Sequence, residues 1–237
     1  MIKATAILFY LLLLSPIINC IGQEPSGPFS KEIDSLYRED QFYFGINYNI
    51  LSDKPVGVEI QGLSGGLQLG YLRDMPINKR RNIAIAIGAG VSFDTYGQNL
   101  FIGEEDSEET IFTVLNSSEV NYDRNRISVY SIDAPIEFRW RSSTASTYKF
   151  WRVYAGMKIG YVYHYKTTFK QPGNEVFQTD IPEFEPLRLG ATLSFGYNTF
   201  NLFAHYSINP FFKNALTTDG QDVSLKTIKL GLMFYIL

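Results

Sequence analysis

From residue 42 onward, apolar and polar residues alternate in eight separate stretches. A period of two means extended chain, because successive side chains point to opposite faces. In the first stretch Phe42, Phe44, Ile46, Tyr48 and Ile50 alternate with Tyr43, Gly45, Asn47 and Asn49. Residues 66–71, 83–94, 130–140, 187–197, 202–209 and 225–237 repeat the pattern, mostly with Leu, Ile and aromatics on one face. The longest stretch, 151–169, places Trp151, Val153, Ala155, Met157, Ile159, Tyr161, Tyr163, Tyr165, Thr167 and Phe169 on one face. Its other face carries Arg152, Gly156, Lys158, Gly160, His164 and Lys166. Strands of soluble sheets usually have about five or six residues. A strand crossing a bilayer, apolar toward lipid and polar toward a lumen, has this longer form.

The connections alternate in length. Those at 76–82, 141–149 and 198–201 are short. Those at 52–63, 98–126, 171–186 and 214–224 are longer, and all are read as turns or irregular loops. This asymmetry and the even count predict an all-β fold: an eight-stranded antiparallel outer-membrane β-barrel with both termini periplasmic. A soluble β-sandwich or lipocalin-like barrel shows the same alternation but hides its apolar face in a core. The membrane reading is preferred because the charges share faces with Gly and Ala, which suits a narrow packed lumen.

Composition agrees. Aromatics make up 15% of the 237 residues, with 16 Tyr and 18 Phe, enough to supply girdles at both membrane interfaces. The formal charge of -3, with no Lys/Arg stripe, excludes a nucleic-acid partner. Residues 1–22 read as a cleaved signal peptide: Lys3, then the apolar run 4–14, then Cys20-Ile21-Gly22. The rival reading lipidates Cys20, although Ile17, Ile18 and Asn19 fit that processing poorly. Residues 23–40, with Pro25, Gly27 and Pro28, form a periplasmic lead-in, and 41–237 the barrel. The expected location is therefore the outer membrane, with its lipid as the first partner.

The inward faces carry a polar network, read as structural: Asp133, Glu137, Arg139, Arg152, Lys158, His164, Arg188 and His205, together with Asp74, Asp94, Lys166 and Lys229. Asp133 and Glu137 are four residues apart on one strand face, roughly 13 Å. That is too far to share a proton or to flank a glycosidic bond. Arg139, Arg152 and Lys158 on neighbouring positions are their expected partners, in a salt-bridged plug. The two histidines lack a third ligand for a metal. GLSGG at 62–66 has no following Lys-Ser/Thr and no helix, so it is not a phosphate loop. The acidic run 104–109 lacks the spacing of a calcium cage and reads as a solvated external loop. No catalytic residue, cofactor, metal site or small-molecule substrate is indicated. Lys79, Arg80, Arg81, Arg141 and Trp151 form a candidate periplasmic docking rim.

Residues 64–100, SGGLQLGYLRDMPINKRRNIAIAIGAGVSFDTYGQNL, resemble the second and third strands of the PorT-like outer-membrane barrels of the Bacteroidota. IEFRWRSS at 136–143 and TYKFWRVYAGMKIGYVY at 147–163 add to the resemblance. The usual terminal aromatic is displaced, since the chain ends Tyr235-Ile236-Leu237. The resemblance implies an eight-stranded barrel with a non-enzymatic part in type IX protein secretion and gliding, docking other envelope proteins of that system. It carries over no catalytic residues and puts Arg139, Trp140 and Arg141 at the periplasmic rim. A generic structural or adhesive barrel acting through its external loops is the alternative. A barrel enzyme or small pore comes third.

Overall fold

The computed structural model describes residues 38–104, 109–116, 118–143 and 149–236, and the expected signal peptide and most of the lead-in lie outside them. The described residues form eleven strands: β1 (Gln41–Ser52), β2 (Gly65–Pro76), β3 (Ile83–Gly97), β4 (Leu100–Glu104), β5 (Thr110–Val114), β6 (Arg124–Arg141), β7 (Trp151–Gln171), β8 (Asn174–Gln178), β9 (Leu187–Tyr197), β10 (Phe200–Ser207) and β11 (Lys226–Ile236).

Eight of them close a barrel. The antiparallel order runs β6-β3-β2-β1-β11-β10-β9-β7, and β7 pairs back onto β6. The first and last strands seal it, with Phe42 opposite Ile236 and Ser52 opposite Lys226. The start of β1, the end of β11 and the three short turns therefore share one end, the turn end. The four long connections gather at the other, the loop end. Closure removes every sheet edge within the wall, as hydrocarbon surroundings require.

The wall is inverted relative to a soluble protein. Outward Phe42, Leu69, Ile132 and Leu202 are 61%, 56%, 54% and 64% exposed, while inward Asp74, Arg139 and Arg141 are fully buried. Aromatics cluster on the outside near the turn end. Trp151 stacks on Phe195 at 5.4 Å and tilts against Tyr197, and Phe42 meets Tyr71 at 5.1 Å. Rings at this level suit a headgroup boundary. Inside, Tyr43, Tyr154, Phe203, Met233 and Tyr235 fill space between polar layers. Two glycines make room for the first of these. A Cβ at Gly70 or Gly90 would stand 2.6 Å or 2.0 Å from the Tyr43 hydroxyl.

Three expectations need correction. The stretch 98–126 is not irregular: β4 and β5 pair from Leu100–Val114 to Glu104–Thr110, and β6 begins at Arg124. The stretch 171–186 is not all loop, because β8 folds back on the tip of β7. Pro172 and Gly173 make that turn, with Gly173 at a φ of 80° that suits glycine. Short apolar and polar mixtures near Gly and Pro gave no clear alternation, so these hairpins were invisible to a period-two reading. The third correction concerns β7. Tyr130 faces His164, but the next residue, Ser131, faces Val162, so Tyr163 is an extra residue in the ladder. A bulge of this kind shifts the chain's facing by one residue. Beyond it His164 turns outward, and Thr167 and Phe169 turn inward to burial, against the simple alternation.

The four loops pack on a second core at the loop end. Tyr96, Leu100, Phe112, Phe211, Phe212 and Leu225 are among its members. Phe112 meets Phe212 edge-on at 5.1 Å, and Tyr165 stacks on Phe184 at 3.8 Å. Backbone and side-chain bonds stitch loop to loop: Asn99 Nδ2 donates to Gly57 O at 2.9 Å and Leu115 O at 3.0 Å, and Thr218 N donates to Phe112 O at 2.9 Å. The loops form a folded cap. Phe212→Ala should cost about 3–5 kcal/mol of cap packing. Limited proteolysis should then cut within 98–123 and 208–225, while the heat-modified shift of the barrel on gels stays unchanged. Equal resistance of parent and variant loops would show that the cap has no such core.

Candidate functional site

The charged interior is built in layers along the barrel axis, and strand alternation places each member. At the turn end, Asp74 on β2 accepts from two arginines of β6. Arg141 Nη1 lies 2.9 Å from both carboxylate oxygens, and Arg139 Nη1 lies 3.3 Å from Oδ1. Arg139 Nε donates to Glu137 at 3.0 Å, and its guanidinium lies 4.6 Å from the Tyr154 ring centroid. Arg139 and Arg141 are two apart, so both point inward and share one acceptor across β3.

Glu39 completes this layer. It precedes β1 and is buried, 3.8 Å from Arg141 Nε and 3.7 Å from Arg152 Nη2. Burial pushes its carboxyl above the usual range, against the pull of both arginines. Glu39 lies within the expected lead-in, 23–40, and its side chain belongs to the barrel's ion-pair layer. A signal was present: Glu39 and Gln41 continue the inward phase of Tyr43 and Gly45. Arg152 thus pairs with Glu39 rather than Glu137, and it stacks on Phe150 at 4.1 Å.

In the next layer Lys158 Nζ lies 2.5 Å from Gln68 Oε1 and 3.4 Å from Asp133. Ser92 and Ser131 also donate to Asp133. Above it, Lys229 pairs with Asp94, which also accepts from Asn49 at 3.1 Å. Nearer the loop end, His205 is buried and Arg188 reaches the cap, its Nη1 2.7 Å from Pro210 O. Pairing and hydrogen bonding offset the cost of burying these charges, so the network specifies a filled interior more than it adds stability. Eight strands leave room for little more than the side chains that fill the interior.

Two sequence-selected positions lie elsewhere. His164 is not in the lumen. The bulge sets it on the outer face, 5.4 Å from the Tyr130 ring. Arg141 is not a surface residue of the rim. It is buried, and its Nε donates to Arg81 O at 3.0 Å, so it fixes the basic turn from within. Lys79 and Arg80 are exposed on that turn, Arg81 is half-buried with a φ of 55°, and Trp151 faces outward. Among the described residues no three His, Cys, Asp or Glu side chains are grouped to hold a metal ion.

Two solved structures are similar, both of Ail, the attachment invasion locus protein of Yersinia pestis. One shares 17% identity at a TM-score of 0.41. The other, in complex with the heparin analogue sucrose octasulfate, shares 16% at 0.35. Each alignment covers 85% of this chain and 100% of that one. No curated protein matches. The family described as outer membrane protein beta-barrel domain matches residues 23–214. With that match over most of its length, and an apolar wall around a charged interior, the chain belongs to the outer membrane protein beta-barrel domain family.

Proposed function

We propose that this chain is a non-enzymatic, non-conducting outer-membrane barrel that works by docking other envelope proteins, and that its setting is type IX secretion. The observation that carries the docking part is the filled interior. Buried ion pairs occupy the lumen from Glu39 to Lys229, and the cap core lies above them, so exchange with partners falls to the two outer ends. The secretion setting rests on the PorT-like resemblance of 64–100 and 136–163. In this reading the turn end is periplasmic and offers Lys79, Arg80 and Arg81, with Trp151 at the lipid boundary. The cap faces outward.

A second reading, an adhesive barrel acting through its external surface, is favoured by the cap itself. A bare anchor needs no second core.

Crosslinking from outer membranes separates the two. Under the first reading, secretion components copurify with the parent, and Lys79→Glu with Arg80→Glu lowers their yield about tenfold, as expected for the loss of roughly 1.4 kcal/mol. Secretion surviving gene deletion would sink the type IX setting. In planar bilayers the refolded chain should give no steady conductance steps. Reproducible open levels would overturn the closed-barrel part.

A further inference from the structure

Inside the wall the charges almost balance. Glu39, Asp74 and Glu137 face Arg139, Arg141 and Arg152, Asp133 faces Lys158, and Asp94 faces Lys229. Arg188 is left over. Among the described residues no carboxylate lies within ion-pair distance of it. Two guanidinium nitrogens donate to backbone carbonyls, to Pro210 at 2.7 Å and to Phe211 at 3.5 Å, and the Phe211 ring flanks it at 4.1 Å. None of these neutralises a charge. Its Nε is buried and meets no acceptor. His205, 8% exposed, is also buried with an unpartnered Nδ1.

Arg188 and His205 line one cavity of about 40 Å³, together with Lys158, Lys229 and Ser207. The carboxylates of Asp94 and Asp133 line it too, but each is already engaged by its lysine and by other donors. A cavity needs about 10–15 Å³ for one water-sized guest, so this one admits a small ion and not a large one. Arg188 is half-buried, and a cation held against the interior with no charge partner is costly, a cost that a counter-ion relieves.

We propose that this cavity is a binding site for a small inorganic anion of the halide class, with Arg188 as its charge partner and His205 and Ser207 as neutral donors. The site also completes the charge balance of the interior.

The test uses the full chain refolded in detergent micelles. Its Tm is measured in sodium chloride, bromide and gluconate at equal ionic strength. The parent should melt about 3 °C higher in either halide than in gluconate, with a saturable dependence. Arg188→Gln should abolish the difference between halide and gluconate, whereas a purely structural arginine would lower Tm equally in every salt and leave that difference in place. Arg188→Lys should keep part of the halide gain. In bromide-soaked crystals an anomalous peak should lie between Arg188 and His205. Equal parent Tm in all three salts, with no bromide peak, would mean that the cavity holds water only and would overturn the site. A halide gain retained in Arg188→Gln would overturn it as well, by placing the ion elsewhere. Where the Gln variant does not refold, the parent salt series and the bromide peak decide the matter.

Discussion

Asp74→Ala should destabilise the refolded barrel by about 3–5 kcal/mol, read as a lower midpoint in urea titrations in micelles. Asp74 is fully buried and holds both Arg139 and Arg141, which are themselves fully buried. Removing it takes from two buried guanidinium groups the acceptor they share. Glu137 still serves Arg139, and Glu39 lies 3.8 Å from Arg141, so neither loses every partner. The remaining contacts are longer or one-sided. The backbone N of Asp74, which donates to Asp40 at 2.9 Å, is untouched by the change. The loss should therefore be electrostatic and largely reversible. Combining Asp74→Leu with Arg141→Met should recover more than half of it, since the coupling energy disappears with both partners. Glu39→Gln should cost less, because its contacts are longer and lie at the barrel mouth. A loss below about 1 kcal/mol for Asp74→Ala would mean that water reaches these arginines and that the plug is open at its turn end.

Ile136→Arg should cost about 2–4 kcal/mol when the barrel is folded into bilayers of ordinary thickness. Ile136 points outward, 42% exposed, with Ile87 and Met157 beside it across the two neighbouring ladders. It lies four residues from the Trp140 level and so well inside the hydrocarbon. Arginine at Ile83 or Trp140, near the aromatic boundary, should cost about 0–1 kcal/mol. The gradient matters more than either value. Equal effects at 136 and 140 would contradict a lipid-facing wall and return the chain to a soluble packing.

The wall was legible in the sequence because its alternation is enforced twice. Lipid demands apolar residues at one phase, and a narrow lumen demands small or paired polar residues at the other. Ile85, Ile87 and Val91 against Ala84, Gly88 and Gly90 leave one register open. The charged interior was legible as a set of residues but not as pairs. Period two fixes which way Arg152 points, whereas its partner depends on which strand end lies opposite. That partner proved to be Glu39, outside the first strand assigned. The cap was not legible. Its core residues, such as Val58, Leu100 and Phe212, are spread over four loops and meet only in space. The bulge at Tyr163 was hidden too, since Tyr161, Tyr163 and Tyr165 continue the alternation across it without a break.

That extra residue gives β7 two reading frames. Up to Val162 its even positions belong to the lumen. From Tyr165 onward its odd positions point inward, where Tyr165, Thr167 and Phe169 pair with the inward Val129, Ile127 and Asn125 of β6. One continuous strand thus serves two solvents without a turn between them, and the change of frame falls where the strand leaves one for the other. It follows that the cap cannot be moved to another barrel by cutting β7 beyond Tyr163. A graft joined there would turn Phe169 outward and bury Lys170. The single inserted residue is part of the cap's address on the barrel.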